Sequence, residues 1–205
     1  MKLNFQSLPR FTRNPSYRVT TEWKYLRSTL DRWADRKEGL AALNLDPDFQ
    51  RPHVWTPQQK TAFVEYVLQG GISGRDIYFN CKGWQGSYEG PFVLVDGKQR
   101  LDAALRFLNN EVPVFGGHYF KDIEGRIMAE FNFLVNDLRT RAEVLQWYLE
   151  MNTGGTPHSA AEINKVKDML KTETQKLPKC PQCSGETELN GTGGYNCFFC
   201  GLTFK

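Results

Sequence analysis

Four cysteines in the last 26 residues constrain this chain more than any other feature: Cys180-Pro-Gln-Cys183, then thirteen residues, then Cys197-Phe-Phe-Cys200. Each Cys-x-x-Cys pair sets two thiolates on one tight knuckle, and two knuckles joined by a hairpin supply the four sulfurs that tetrahedral Zn²⁺ prefers. The Gly-rich stretch 190–194 suits the hairpin turn, and Ser184-Gly185 and Gly201 let backbone amides approach the sulfurs. The other readings are two disulfides or free thiols. A reducing cytosol disfavours disulfides, and a segment this short has almost no core without a staple. Cys180, Cys183, Cys197 and Cys200 therefore read as a structural Zn²⁺ site in a small zinc ribbon. Four sulfurs close the coordination sphere, so the expected role is folding and not catalysis. Tyr195, Phe198, Phe199 and Phe204 either pack or offer a surface to nucleic acid or protein. The fifth cysteine, Cys81, ends a strand-like run from Asp76 and is expected in the core.

A chain of 205 residues holds one ordinary domain plus a small appendage. Hydrophobic residues at 40% and charged ones at 24% fit a folded chain and argue against a disordered or fibrous one. No stretch approaches the roughly 18 uncharged residues of a membrane helix. The N-terminus, MKLNFQSLPRFTR, has no apolar run before a cleavage site. The expectation is a cytoplasmic protein with no membrane partner. Residues 1–40 carry nine Lys/Arg against four Asp/Glu, 41–164 carry eleven against fifteen, and 165–205 carry six against four. A basic N-terminal arm suits phosphate-backbone contact, although solvated helices often carry as much charge.

Trp23, Leu26, Leu30 and Trp33 recur at spacings of three and four, which predicts an amphipathic helix from about Thr21 to Arg36. Thr56-Pro57-Gln58-Gln59 supplies an N-cap, a first-turn proline and a Gln three residues on, and Gly70-Gly71 marks the stop. Ile77–Cys81, Pro91–Val95, Val112–Phe115 and Ala129–Val135 read as strands, the second buried on both faces. Leu101, Ala104, Leu105 and Leu108 define a helix. Thr140 with Glu143 caps another, with Val144, Leu145, Trp147, Tyr148 and Met151 inward, and Ser159 with Glu162 caps a third from Ala160. The boundary falls near Leu177-Pro178-Lys179. The expected organisation is an α/β (α+β) domain with a mixed sheet over residues 1–176 and the zinc ribbon over 177–205.

The chemistry concentrates in Val93-Leu94-Val95-Asp96-Gly97-Lys98-Gln99-Arg100-Leu101-Asp102-Ala103. A buried strand ends in a carboxylate, a glycine permits a sharp turn, and the next helix opens with cations. That geometry aims unpaired amides and Lys98 or Arg100 at a common point and makes an anion site. Asp96 at the strand end could hold a divalent metal or orient a water. The plainer reading, an Asp-Gly turn with solvated charges, stays open.

Asp96-Gly97-Lys98-Gln99-Arg100 resembles the DGQQR motif of the N-terminal domain of GmrSD-type modification-dependent restriction enzymes. Gly97-x-x-Arg100-x-x-Ala103 is similar to the GxRRxxA box of ParB-type partition proteins, in the ParB/sulfiredoxin-like fold. Two further stretches fit in order: Asp48-Phe49-Gln50-Arg51-Pro52-His53-Val54-Trp55-Thr56-Pro57-Gln58-Gln59, and Met151-Asn152-Thr153-Gly154-Gly155-Thr156-Pro157-His158-Ser159. The resemblance spans about residues 20–165 and implies a nucleoside triphosphate partner and a DNA-directed restriction, defence or phage nucleic-acid-processing context. By position it assigns Asp96 to Mg²⁺ or water activation, Gly97 to the turn, Gln99 to water or phosphate orientation, and Lys98 and Arg100 to phosphate charge. Gln50 and Arg51 would line the same pocket, and Asn152, Thr153, Gly154 and Gly155 would form a loop with phosphate-facing amides. Lys98 stands where the motif has a glutamine. None of His53, His118 and His158 has the spacing of an HNH nuclease site, so a nuclease would come from a restriction-system partner or from the ParB-like domain itself. Three readings stay open: an NTPase with or without DNA nicking, a non-catalytic DNA-binding adaptor, and an inhibitor of a related restriction system.

Overall fold

Three β-branched residues in succession, Val19, Thr20 and Thr21, resist the helix that the spacing of Trp23 and Leu26 suggests. In the computed structural model they belong to a strand, β1 (Tyr17–Glu22), so the expected helix does not begin at Thr21. A single 3-10 turn at Trp23–Tyr25 leads into α1 (Leu26–Ala34). The three-and-four spacing holds from there, with Trp23, Leu26, Leu30 and Trp33 all buried. The structure describes residues 11–34, 43–84, 86, 90–152, 159–175, 177–185, 187–189, 194–197 and 200–205. They divide into two compact units, Pro15–Asp137 and the remainder, the latter joining residues up to Asn14 with Leu138–Lys205.

The first unit is built on a four-stranded mixed sheet, as the α/β reading expects. Its strands are β1, β2 (Asp76–Asn80), β3 (Val93–Asp96) and β4 (Glu130–Asn136), in the order β1-β4-β2-β3. β4 pairs antiparallel with β1 and parallel with β2, and β2 pairs antiparallel with β3. Two-residue alternation gives the sheet an apolar and a polar face. Ile77, Phe79, Leu94, Phe131, Phe133 and Val135 are buried on the first. On the other, Thr20 Oγ1 lies 3.1 Å from Asn132 Oδ1, and Asn132 Nδ2 donates to Asp76 Oδ1 at 2.7 Å. Tyr78 pairs in register with Asp96 on this polar face.

α1, α2 (Pro57–Leu68) and α3 (Lys98–Leu108) cover the apolar face through aromatic contacts. Trp33 stacks on Phe92 at 4.1 Å and meets Phe79 and Phe133 edge-on or tilted; Trp23 packs against Phe107 of α3, and Phe63 of α2 stacks on Phe131. Cys81 is fully buried in the same core. Thr56 and Gln59 form the expected capping box. Gly70, at φ +91°, closes α2 with two reversed bonds, its own N–H to Val67 O and that of Gly71 to Tyr66 O. Val112–Phe115 is not a strand. Phe115, Gly116 and Gly117 all take positive φ, so the chain turns sharply and only Val114 pairs, with His118.

In the second unit α4 (Arg141–Met151) and α5 (Ala160–Gln175) begin at the expected caps, Thr140 with Glu143 and Ser159 with Glu162. Val144, Leu145, Trp147 and Tyr148 are buried, as is Val166 of α5. Arg141 approaches Glu173 across the pair at 3.7 Å. β5 (Thr187–Leu189), β6 (Tyr195–Cys197) and β7 (Thr203–Phe204) form a three-stranded antiparallel sheet. No described helix is long and apolar enough to cross a membrane.

One charge cluster ties α2 to α3. Asp102 of α3 accepts from Lys60 Nζ of α2 and, at 3.0 Å, from Arg106 Nε, and His53 Nδ1 lies 3.8 Å away. Burial pushes the Asp102 carboxyl upward, but Lys60 and Arg106 outweigh it and hold the group below the usual carboxylate range. A depressed carboxyl adds stability above its unfolded value, about 3.9, and that stability is lost as pH falls through the folded value. Asp102→Asn should therefore cost about 2 kcal/mol at pH 7 and distinctly less at pH 3. Urea midpoints at the two pH values check this; an equal loss at both would show that the carboxylate charge is not the source.

Candidate nucleotide site and metal centre

The site is organised by the join between β3 and α3. Gly97 sits there at φ +102°, ψ 8°, and a Cβ on it would lie 2.5 Å from Ile77 Cδ1. Only glycine fits both the conformation and the space. The Gly97 carbonyl accepts the first helical bond, from Leu101 N at 2.9 Å. The amides of Lys98, Gln99 and Arg100 thus precede the α-helical ladder. No side chain caps this end, and no acidic residue lies in the first turn. The helix start presents amide donors and the positive end of its dipole, an arrangement that favours an anion.

The three side chains that follow diverge. Arg100 turns back on Asp96, with Nη2 2.6 Å from Oδ2, and both are reachable by solvent, the Asp96 side chain at 39% exposure and the Arg100 side chain at 20%. Its stem runs along the turn at Gly74, whose Cβ position is 3.4 Å from Arg100 Cδ. Lys98 is only 6% exposed; its ammonium pairs with Asp46 and donates to the Arg51 carbonyl at 3.0 Å. Lys98 holds the Asp46 carboxyl below the usual range. Gln99 is also buried: its Oε1 accepts from Val54 N at 3.0 Å and Trp55 N at 3.2 Å, and its Nε2 donates to Pro52 O at 3.0 Å. Gln50 Nε2 donates to Leu94 O at 2.6 Å. Residues 46–55 are thereby stitched to the end of β3 and the start of α3.

Asp96, Gly97, Lys98, Gln99, Arg100 and Gln50, with the Arg51 carbonyl, lie around this one join, although Lys98 and Gln99 spend their polar ends on the protein itself. Asn152 lies in the other unit, at the C-cap of α4, where its Nδ2 donates to Tyr148 O at 2.7 Å. Thr153, Gly154, Gly155 and His158 fall outside the described residues. His53 sits beside Asp102, and His118 serves through its backbone. The sequence reading missed two residues. Asp46 is marked by no local pattern, since its partner is 52 positions away. Tyr78 faces Asp96, and strand alternation could have placed it there. Burial, then the charges of Asp76 and Asp96, push its phenol upward.

The four cysteines converge in the second unit, their sulfurs all within 4.8 Å of one another. Cys180 Sγ is 3.6 Å from Cys200 Sγ, and Cys183 Sγ is 3.4 Å from Cys197 Sγ. Four 2.3 Å Zn–S bonds in a tetrahedron place sulfurs about 3.8 Å apart, so donor set and spacing both fit zinc. The knuckles close through Ser184 N to Cys180 O and Gly201 N to Cys197 O, with Ser184 and Gly201 at positive φ. A backbone hydrogen bond at Gly185 lowers the Cys183 thiol, but Cys197 and the other crowded sulfurs, with desolvation, outweigh it and push it up to about 12.

Zinc should accordingly bind at one ion per chain with proton release at pH 7, and apparent affinity should rise with pH. Metal analysis and titration in two buffers of different ionisation enthalpy test this, and zinc content unchanged by Cys183→Ser would remove the assignment. At the turn, Gly97→Ala should cost about 3 kcal/mol, part steric and part from the positive φ. Adding Ile77→Val should lower the coupling cost of the pair but leave the φ penalty; strict additivity in a double-mutant cycle would contradict the close approach.

Comparison with known proteins finds no curated protein and no solved structure that matches the chain. A family model does match: residues 33–130 fit the N-terminal domain of the GmrSD restriction endonuclease. The matched span holds α2, β2, β3, α3 and the whole Asp96 turn, and leaves out β1, α4, α5 and the cysteine segment. The family to which the Asp-Gly-Lys-Gln-Arg turn and the Gln50-Arg51 stretch point is thus the one whose model this segment matches.

Proposed function

We propose that the sheet domain binds a nucleoside triphosphate at the Asp96 turn and hydrolyses it in a restriction or defence process acting on DNA. The observation that carries this is the uncapped start of α3 beside the Arg100–Asp96 pair. Amide donors and a guanidinium there border a carboxylate still open to solvent. The first-turn amides and Arg100 hold phosphate oxygens, and Arg51 adds charge from the stitched segment. Asp96, released by Arg100 when phosphate takes its place, orients the attacking water. A single carboxylate is a sparse Mg²⁺ site alone but suits an ion shared with phosphates. Asp96 is therefore the residue that would hold Mg²⁺, whose bound charge would neutralise the phosphoryl group. Lys98 and Gln99 act one step away, by fixing Asp46 and residues 52–55.

The match to a GmrSD N-terminal domain supports the restriction context, and the ParB/sulfiredoxin-like assignment rests on the mixed sheet together with the Gly97-x-x-Arg100-x-x-Ala103 box. In this reading the protein works in the cytoplasm of a bacterial or phage-infected cell. DNA cleavage belongs to a nuclease partner. The commitment of Lys98 and Gln99 to structural bonds favours one second reading: a domain that binds nucleotide or DNA without turnover, as an adaptor or inhibitor of a related restriction system.

Calorimetric titration with ATP, GTP, CTP and UTP in Mg²⁺ separates these readings. At least one should bind, and Arg100→Ala should weaken it tenfold or more, about 1.4 kcal/mol. Asp96→Asn should keep affinity within a few-fold yet abolish phosphate release, with the thermal midpoint near that of the parent. Binding without phosphate release in the parent protein selects the adaptor. No binding of any of the four at millimolar concentration removes the proposal.

A further inference from the structure

At the other edge of the sheet, β1 and α1 enclose a groove of about 630 Å³. Five of the six residues of β1 line it, including Thr20 and Glu22, whose side chains lie on the polar face. Residues of both pleat directions can line one groove only if the strand's backbone edge forms its wall. The register says which backbone groups are there. Trp23 N donates to Ala129 O at 2.9 Å, and the pairing continues from Glu22 with Glu130 to Tyr17 with Val135. In an antiparallel pair bonded and non-bonded positions alternate. Tyr17, Val19, Thr21 and Trp23 therefore spend their backbone groups on β4, while Arg18, Thr20 and Glu22 turn theirs outward. No described strand pairs with them.

The opposite wall is one face of a helical turn: Tyr25, Thr29, Arg32 and Trp33, spaced four, three and one apart. The floor is apolar, with Trp33 backed by Phe92 and Trp84 packed against Tyr17 at 4.9 Å. Glu22 is the one acid among the described lining residues, and it is doubly neutralised, by Arg126 at 2.8 Å and Lys24 at 3.2 Å. Arg32 on the helix wall, whose guanidinium bonds, among the described residues, only neutral groups of its own helix, Ser28 O and Thr29 Oγ1, leaves this wall cationic.

We infer that this groove takes up an extended, acidic segment of a partner protein as a fifth strand of the sheet, bonded to Arg18, Thr20 and Glu22 and lying beneath Arg32. A strand edge alternates N–H donors and C=O acceptors about 6.8 Å apart for like groups, a pattern that a polypeptide backbone matches on both counts. A nucleic-acid strand matches less well. Its phosphates would face the three outward carbonyls, and the Trp33 ring, stacked on Phe92, is only 8% exposed and offers no platform for a base. The inference does not depend on the Asp96 turn, which lies at β3 on the far edge of the sheet.

The test uses the whole protein and three probes: a blocked eight-residue peptide alternating valine and glutamate, the same peptide with lysine for glutamate, and an oligothymidylate. With millimolar acidic peptide, hydrogen exchange at the amides of Arg18, Thr20 and Glu22 should slow at least tenfold, while the lysine peptide and the oligonucleotide leave them unchanged. Arg32→Glu should invert the preference between the two peptides. Thr20→Pro, which deletes one outward donor at an edge position where proline is tolerated, should abolish protection. If that variant folds poorly, Arg32→Glu decides alone. Equal binding of both peptides, stronger protection by the oligonucleotide, or no protection at all would each overturn the inference. None of these outcomes touches nucleotide binding at Asp96.

Discussion

The lack of room above Gly97 governs the sheet domain. Ile77 of β2 lies where a Cβ would be, so β3 can enter α3 only through a glycine in the left-handed region. Once the chain has turned there, successive side chains leave the helix about 100° apart. Lys98 goes inward to Asp46 and the Arg51 carbonyl, Gln99 to the backbone of residues 52–55, and Arg100 back to Asp96. One tight join thereby fixes three neighbours, and the uncapped amides are left facing out.

The burial of Lys98 is the costly part of this arrangement. An ammonium removed from water needs a partner and further acceptors, or its desolvation outweighs the pairing. Asp46 supplies the charge and Arg51 O a second acceptor, while Asp46 itself stays largely in solvent. The asymmetry keeps the desolvation penalty to one ion instead of two. A glutamine, which the related motif carries at this position, could satisfy the carbonyl but has no charge to hold an aspartate. Replacing it with lysine thus converts a neutral contact into an anchor for the segment bearing Gln50 and Arg51. Of the two cations that the sequence offers to phosphate, Lys98 is spent on architecture, and Arg100 is the one that solvent reaches more readily.

What the sequence made legible was local. Capping boxes at Thr56, Thr140 and Ser159 depend on residues three apart, and all three helices begin where they say. The cysteine knuckles are likewise short-range, and their convergence follows from a hairpin. The errors came where distant partners or backbone geometry decide. β1 owes its existence to pairing with β4, more than a hundred residues later, so the helix that the spacing from Trp23 suggests starts after the strand and not at Thr21. Val112–Phe115 has strand composition, yet the positive φ of Phe115, Gly116 and Gly117 folds it into a turn. Nothing within ten residues of Lys98 or Gln99 announces Asp46 or Val54, and so their side chains read as free when they are not.

The strand order also decides how the two candidate surfaces relate. β3, which ends at Asp96, and β1, which borders the groove, are the two outer strands of β1-β4-β2-β3. Three inter-strand steps separate them, about 14 Å at the usual spacing. Between them the polar face runs from Thr20 through Asn132 to Asp76, and then past Tyr78 to Asp96. Fixed register makes that row a rigid spacer, since a one-residue slip would turn Phe131, Phe133 and Val135 out of the core. A strand added at β1 therefore cannot slide the sheet to reach Asp96. Its influence on the turn must pass through side-chain hydrogen bonds along this row, in which Asn132 bonds Thr20 on one side and Asp76 on the other.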